Sequence, residues 1–161
     1  MSESEELGGL SRVLLRIPVP WVFLLTYLAG AGLQSVVVHP GGLEYRVLTP
    51  AGWGVLTLGA ALAGWGWGIF RRAGTTHVPG ETSTALVTWG PYRFTRNPMY
   101  VGLSVAYLGE AGILHQILPV ILLPLTLVYV NRIVIPVEEE RLRAAFGADY
   151  ARYAGRVRRW L

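Results

Sequence analysis

The chain has 161 residues, room for about one domain, with 52% hydrophobic and only 15% charged residues and a mean hydropathy of +0.42. A soluble domain carries about 25% charge, so long stretches here have nothing to offer water. Disorder is excluded too, because disordered chains are rich in charge and poor in aromatic rings. The class is integral membrane protein. No cysteine is present, which removes thiol nucleophiles, disulfides and cysteine-bound metals. All 14 basic residues are arginine, so a Schiff-base or phosphate-loop lysine is also missing. The net charge of +4 follows from arginine-rich cytoplasmic loops and needs no nucleic acid.

A membrane span takes roughly 20 apolar residues. Ile17 to Val38 is uncharged, with Pro18 and Pro20 at the start, where a helix tolerates them. Ala29 and Ala31 imitate a signal-peptide cleavage site, but the apolar run continues past them and the chain starts with acidic Glu3, Glu5 and Glu6. The segment reads as an uncleaved anchor. Val47 to Phe70 is the second span, opening with Pro50 and closing on Arg71 and Arg72. Pro98 to Ile135 is long enough for two spans, with His115, Gln116 and Pro119 marking a tight turn. Four helices result, the last two forming a hairpin. Arg12 and Arg16, Arg71 to Arg96, and the arginines from Arg141 onward then fall on one face, with only Arg46 opposite, and the rich face is the cytoplasmic one. Gly59, Ala63 and Trp67, with Gly66, and Gly30 with Ala31 are expected at close helix contacts, where small residues let backbones approach.

Three polar features need a reason. The linker from Arg71 to Arg96 is long for a helix connection and mixes Gly74, Thr75, Thr76, Pro79 and Gly80 with Leu86, Val87, Trp89, Tyr92 and nearby Tyr100. Those apolar and aromatic side chains are expected to fold against the bundle and build a pocket. At the end of the fourth helix, Asn131 and Arg132 precede Pro136 and Glu138-Glu139-Glu140. Seven residues are two turns, so Asn131 with Glu138, and Arg132 with Glu139, share a face if the helix continues. Acids at a helix C-terminus oppose its dipole, which argues for a local purpose. Glu110 lies within a span near its outer end, so it sits near the interface, pairs with a neighbouring helix or faces the protein interior, where a structural or substrate-side role is expected ahead of direct chemistry. His39, His77 and His115 show no ligand spacing, so no metal site is expected. The segment 138–161, with Leu142, Ala145, Phe146, Tyr150, Tyr153, Val157 and Trp160 apolar and Gly147 breaking the run, reads as an amphipathic helix on the membrane surface. Folding over the linker as a lid is the added possibility.

The ordered set Arg71-Arg72-Ala73-Gly74-Thr75, Leu86 to Arg93, Arg96 to Gly102, then Glu138-Glu139, Leu142, Phe146-Gly147, Tyr150, Tyr153, Arg156-Val157 and Arg159-Trp160 resembles the isoprenylcysteine carboxyl methyltransferase and phospholipid N-methyltransferase superfamily. Gly109-Glu110 suits its bacterial branch. Asn97 and Asn131 stand where that family frequently has histidine. The resemblance implies an all-α membrane fold of about four transmembrane helices, with a cytoplasmic cofactor-binding loop and a C-terminal amphipathic helix. The resemblance covers roughly residues 68–161 and not the first helix; the apolar runs themselves divide one domain, 1–161, into two N-terminal helices (1–70), the loop (71–97), a hairpin (98–137) and the C-terminal helix (138–161). It implies S-adenosylmethionine as methyl donor, and the arginine placement puts both termini on the cytoplasmic side, as expected in a bacterial inner membrane. Leu86, Val87, Gly90 and Tyr92 would cradle the donor; Asn97, Pro98, Tyr100 and Gly102 would form the second wall; Glu138 and Glu139 would close it. Arg96, Arg132 and Glu139 form the catalytic set that aligns the reactants.

The chemistry is consistent with that donor. Carboxylates suit an ammonium or ribose hydroxyls, and tyrosine faces suit a sulfonium. Methyl transfer is a direct displacement, so alignment and desolvation suffice. The acceptor is a lipophile in the bilayer: an isoprenylcysteine carboxylate, a phospholipid amine or another small lipophile. A sterol-type membrane reductase using a nicotinamide dinucleotide is the nearest alternative, though its pyrophosphate calls for more loop arginines and helix N-termini. A membrane scaffold without activity is the third, and leaves the acid pair unexplained. Oligomeric state is not legible.

Overall fold

The computed structural model describes residues 18–37, 45–74 and 85–161. The acidic start, Arg12, Arg16, His39, His77 and the linker residues Thr75, Thr76, Pro79 and Gly80 lie outside the described residues. Within them every element is helical: α1 (Val19–Val37), α2 (Tyr45–Arg72), a 3-10 turn (Gly90–Arg93), α3 (Pro98–Leu114), α4 (Ile117–Tyr129), a π segment (Val130–Val134) and α5 (Ile135–Ala154). No strand occurs among the described residues.

On α1, the buried residues Val19, Phe23, Tyr27, Gly30 and Gln34 recur every three or four positions and form one face. The rest of the helix exposes Trp21, Leu24, Leu25, Leu28 and Leu33. An apolar surface of that extent belongs in lipid, where no hydrophobic force drives it inward. Three helical stretches, α1, most of α2 and the continuous rod from α4 into α5, are long and apolar enough to cross a membrane. The protein is an integral membrane protein.

The tightest packing is between α2 and α3. A Cβ on Gly59 would stand 2.6 Å from the Gly102 carbonyl, and one on Gly102 would stand 2.5 Å from the Ala63 backbone nitrogen. One on Gly52 would meet the backbone of Ile113 and Gly109 at 2.7–2.8 Å. The glycines recur every seven residues, Gly52, Gly59 and Gly66 on α2 against Gly102 and Gly109 on α3, with Gly66 beside Met99. The order of these pairs shows that the two helices run antiparallel. The small-residue expectation holds for Gly59, Ala63, Gly66 and Gly30, which backs onto Pro119 at 2.8 Å. It fails for Trp67, which is exposed. Gly59→Ala should lower the thermal midpoint in detergent by the equivalent of about 1–3 kcal/mol, an overpacking cost. Gly54→Ala, whose Cβ meets nothing within 4 Å, should leave the midpoint unchanged.

The turn falls where the sequence places it. His115 takes the left-handed conformation (φ 55°) and ends α3. Gln34 of α1 staples this corner, donating to the His115 carbonyl and accepting from the Leu118 amide, both at 2.9 Å. Glu110 does not face the interior: it is exposed, and at one turn from the helix end the interface costs it far less than the bilayer centre.

Pro136 does not end the last helix. A proline clashes with the carbonyl four residues back and removes a hydrogen bond, and the π segment immediately before it takes up that misfit by inserting one residue. The rod therefore runs on from α4 into α5, bending at Gly147 (φ 48°). The inserted residue shifts the helical register. Asn131 shares its hydrogen-bonding partner with Glu139, eight residues on, not with Glu138 seven residues on.

Candidate active site

At one end of the bundle the linker returns to the helices. Gly90 adopts φ +64°, and a Cβ there would collide with Ile69 Cδ1, so only glycine lets the 3-10 turn seat against α2. The turn buries Pro91 and Tyr92, and Phe70 meets the Tyr92 ring edge-on at 5.2 Å. From the other side, the Tyr153 hydroxyl donates to the Tyr92 carbonyl at 2.8 Å. The linker and α5 thus close on each other, and an open cleft of about 920 Å³, its mouth included, lies between them.

The cleft is mostly apolar, with walls from Phe70, Leu86, Val87, Met99, Ile135 and Leu142. Its polar groups are few and placed. The Tyr100 hydroxyl donates to Glu138 Oε1 at 2.6 Å, the one hydrogen bond Glu138 makes among the described residues. Glu138 stands where the apolar run of the rod gives way to its charged part. Burial pushes its carboxyl up to about 7, against the lowering effect of the Tyr100 hydrogen bond and Arg141. Burial likewise raises the Tyr92 and Tyr153 phenols, which remain neutral O–H donors. Tyr92 Oη and Arg96 Nε are buried and have no hydrogen-bond partner among the described residues. Such groups are costly unless something satisfies them.

Glu139 behaves differently from its neighbour. It is 5% exposed and gathers three arginines. Arg159 grips it with both arms of the fork, Nε to Oε1 at 3.0 Å and Nη2 to Oε2 at 2.7 Å. Arg96 stands at 3.1 Å and the exposed Arg143 at 3.6 Å. Arg96 Nη1 also donates to the Tyr150 hydroxyl at 3.1 Å.

The segment after the last helix is docked onto the bundle. Beyond Ala154 the chain folds back over the turn before α3. The Arg158 carbonyl accepts from the Arg96 amide at 2.9 Å, and the Arg159 carbonyl accepts from Asn97 Nδ2 at 2.8 Å and Thr95 Oγ1 at 3.1 Å. Asn131 Oδ1 accepts from Trp160 Nε1 at 3.0 Å and from Arg159 at 3.3 Å.

Of the residues expected at the site, Leu86, Val87, Tyr92, Arg96, Asn97, Tyr100, Glu138 and Glu139 line the cleft. Gly90, Pro98 and Gly102 do not: they serve the linker turn, the first turn of α3 and the seam with α2. Arg132 is exposed on the rod and lies away from the cleft, and Trp89 is also exposed. Tyr150, Tyr153, Met99, Phe70 and Arg141 line the cleft without having been assigned to it. The first two carried a signal, an aromatic recurrence after Gly147, that reads equally well as a membrane-facing stripe.

A protein-family model for phospholipid methyltransferases matches residues 48–149, which spans α2, the linker, the helical hairpin and most of α5. No curated protein and no solved structure matches the chain. The match takes in both walls of the cleft and favours neither the reductase nor the scaffold. With well over half of its length in that model, the chain belongs to the phospholipid methyltransferase family and is a membrane methyltransferase acting on lipid.

Proposed function

We propose that the protein transfers a methyl group from S-adenosylmethionine to a lipophilic acceptor, with the donor held in the cleft between the linker and α5. The observation that carries this reading is the single lightly committed carboxylate, Glu138, set beside Tyr100 in an open, mostly apolar cleft. The donor is a sulfonium with an ammonium, a carboxylate and ribose hydroxyls, and the cleft offers a group for each. Glu138 takes the ammonium or the ribose by charge-assisted hydrogen bonds. Arg96 Nε and Tyr92 Oη, buried without partners, donate to anionic or carbonyl oxygens. The rings of Tyr92 and Tyr100 suit the sulfonium, and Leu86, Val87, Met99 and Leu142 exclude water from the reacting centre. When bound, the donor supplies an electrophilic methyl group.

This chain's residues then have only to align and desolvate the reactants. Arg96 orients an anionic group of donor or acceptor, with only one edge resting on Glu139. A lipid acceptor reaches the cleft sideways from the bilayer, and the polar donor enters from the cytoplasm. On this reading the cleft and both termini lie on the cytoplasmic side of a bacterial inner membrane, with α3 alongside α2 as a fourth crossing. An isoprenylcysteine carboxylate, a phospholipid amine and another small lipophile all suit the cleft as acceptor. Incubating detergent-solubilised protein with membrane lipid extract and methyl-labelled S-adenosylmethionine should produce a labelled lipid identifiable by mass spectrometry. Lipid extract that stays unlabelled, while a known lipid methyltransferase labels it, would count against the reading.

A further inference from the structure

The last residues of the chain reach the cleft by a route the reaction itself does not require. Their backbone holds the 95–97 turn at three points, and that turn carries Arg96 and Asn97, two of the cleft's polar walls. Their one buried charge contact is the fork of Arg159 on Glu139. Glu139 is also the acid nearest Arg96. Two guanidinium groups therefore compete for one buried carboxylate. Arg159 has won it: its contact is bidentate and as short as 2.7 Å. Arg96 keeps a single edge contact at 3.1 Å through Nη1, which it shares with Tyr150, and its Nε stays uncommitted.

We propose that Arg159 is a positioning residue of the donor cleft: by occupying Glu139 it keeps the Arg96 guanidinium from collapsing onto that acid and leaves it available to an anionic group of the ligand. Asn131 supports this from the far side by accepting from Arg159 and from Trp160. Arginine is required because a lysine cannot reproduce the fork. The inference rests on the reading of this cleft as the donor site. It makes the end of the chain part of the site although its side chains touch no ligand.

Neutralising Glu139 relieves the unpaired acid of an Arg159 variant whatever that arginine does, so the diagnostic quantity is donor affinity rather than stability. Donor affinity is read by titration calorimetry of detergent-solubilised full-length protein with S-adenosylhomocysteine, with thermal midpoints as the check on folding. Arg159→Ala should weaken binding by about tenfold or more, the usual scale for breaking a desolvated charge pair. The double variant Arg159→Ala/Glu139→Gln should recover part of that loss, since a neutral amide no longer captures Arg96. Wild-type affinity in Arg159→Ala, or a double variant as weak as or weaker than the single one, overturns the proposal. If Arg159→Ala does not fold, Arg159→Lys decides: an intermediate loss supports the fork, and wild-type affinity contradicts it. Wild-type protein that binds no donor overturns the donor-cleft reading and this inference together, whereas wild-type binding untouched by the Arg159 variants overturns the inference alone.

Discussion

Glu138→Gln should reduce donor affinity by about a hundredfold, since a charge-assisted contact in an apolar site is replaced by a neutral one, while the thermal midpoint stays near that of the wild type. The substitution is isosteric, and the amide still accepts from the Tyr100 hydroxyl. The wild-type pH dependence follows from the same group. Its carboxyl is raised to about 7 by burial, so below that pH the unliganded protein holds it protonated. A cationic donor favours the ionised form and must displace that proton. Affinity should therefore fall as pH drops from 8 to 5, approaching about tenfold per unit at the acid end. In Glu138→Gln that slope should vanish. Calorimetry at four pH values on both proteins measures it, and a slope of the same size in the glutamine variant would assign the titration to another group.

Glu139→Ala should act on the fold before it acts on the ligand. It removes the common partner of Arg96 and Arg159 and leaves two guanidinium groups partly buried without a counter-charge. Breaking a buried pair from one side costs about 3–5 kcal/mol, enough to lower the midpoint steeply and to release the tail. Arg156, Arg158 and Arg159 should then become sites of rapid tryptic cleavage, at a concentration that leaves the wild-type tail intact. Arg143 will not compensate, because an exposed pair at 3.6 Å contributes little. A variant with wild-type stability and a protected tail would mean that the backbone contacts to Thr95, Arg96 and Asn97 suffice to hold the strap.

These two acids show what the sequence could and could not reveal. A doublet after a membrane helix, on a face dominated by arginine, is conspicuous, and both members do reach the cleft. Which one meets the ligand is another matter. Adjacent helical positions point about 100° apart, and the register depends on the residue inserted by the π segment, which Pro136 alone does not specify. The same insertion defeats the pairing of Arg132 with Glu139 and turns Arg132 outward. The His115–Gln116 corner was legible because a polar pair interrupts an apolar run near a proline. The linker was legible because Leu86, Val87 and Tyr92 are poor residues to leave in water. The docking of the tail was not. Its contacts join residues 20 to 64 positions apart, and its apolar spacing fits a membrane surface equally well. Glu110 misled for a related reason: depth in the bilayer, not presence in an apolar run, sets its cost.

Titrating wild-type protein in detergent with S-adenosylhomocysteine, and in parallel with a reduced nicotinamide dinucleotide, tests the donor site most directly. One nucleoside per chain, bound near the micromolar range common for such ligands and lost in Glu138→Gln, is the expected result. No heat from the sulfur nucleoside, or equal binding by the glutamine variant, would contradict it.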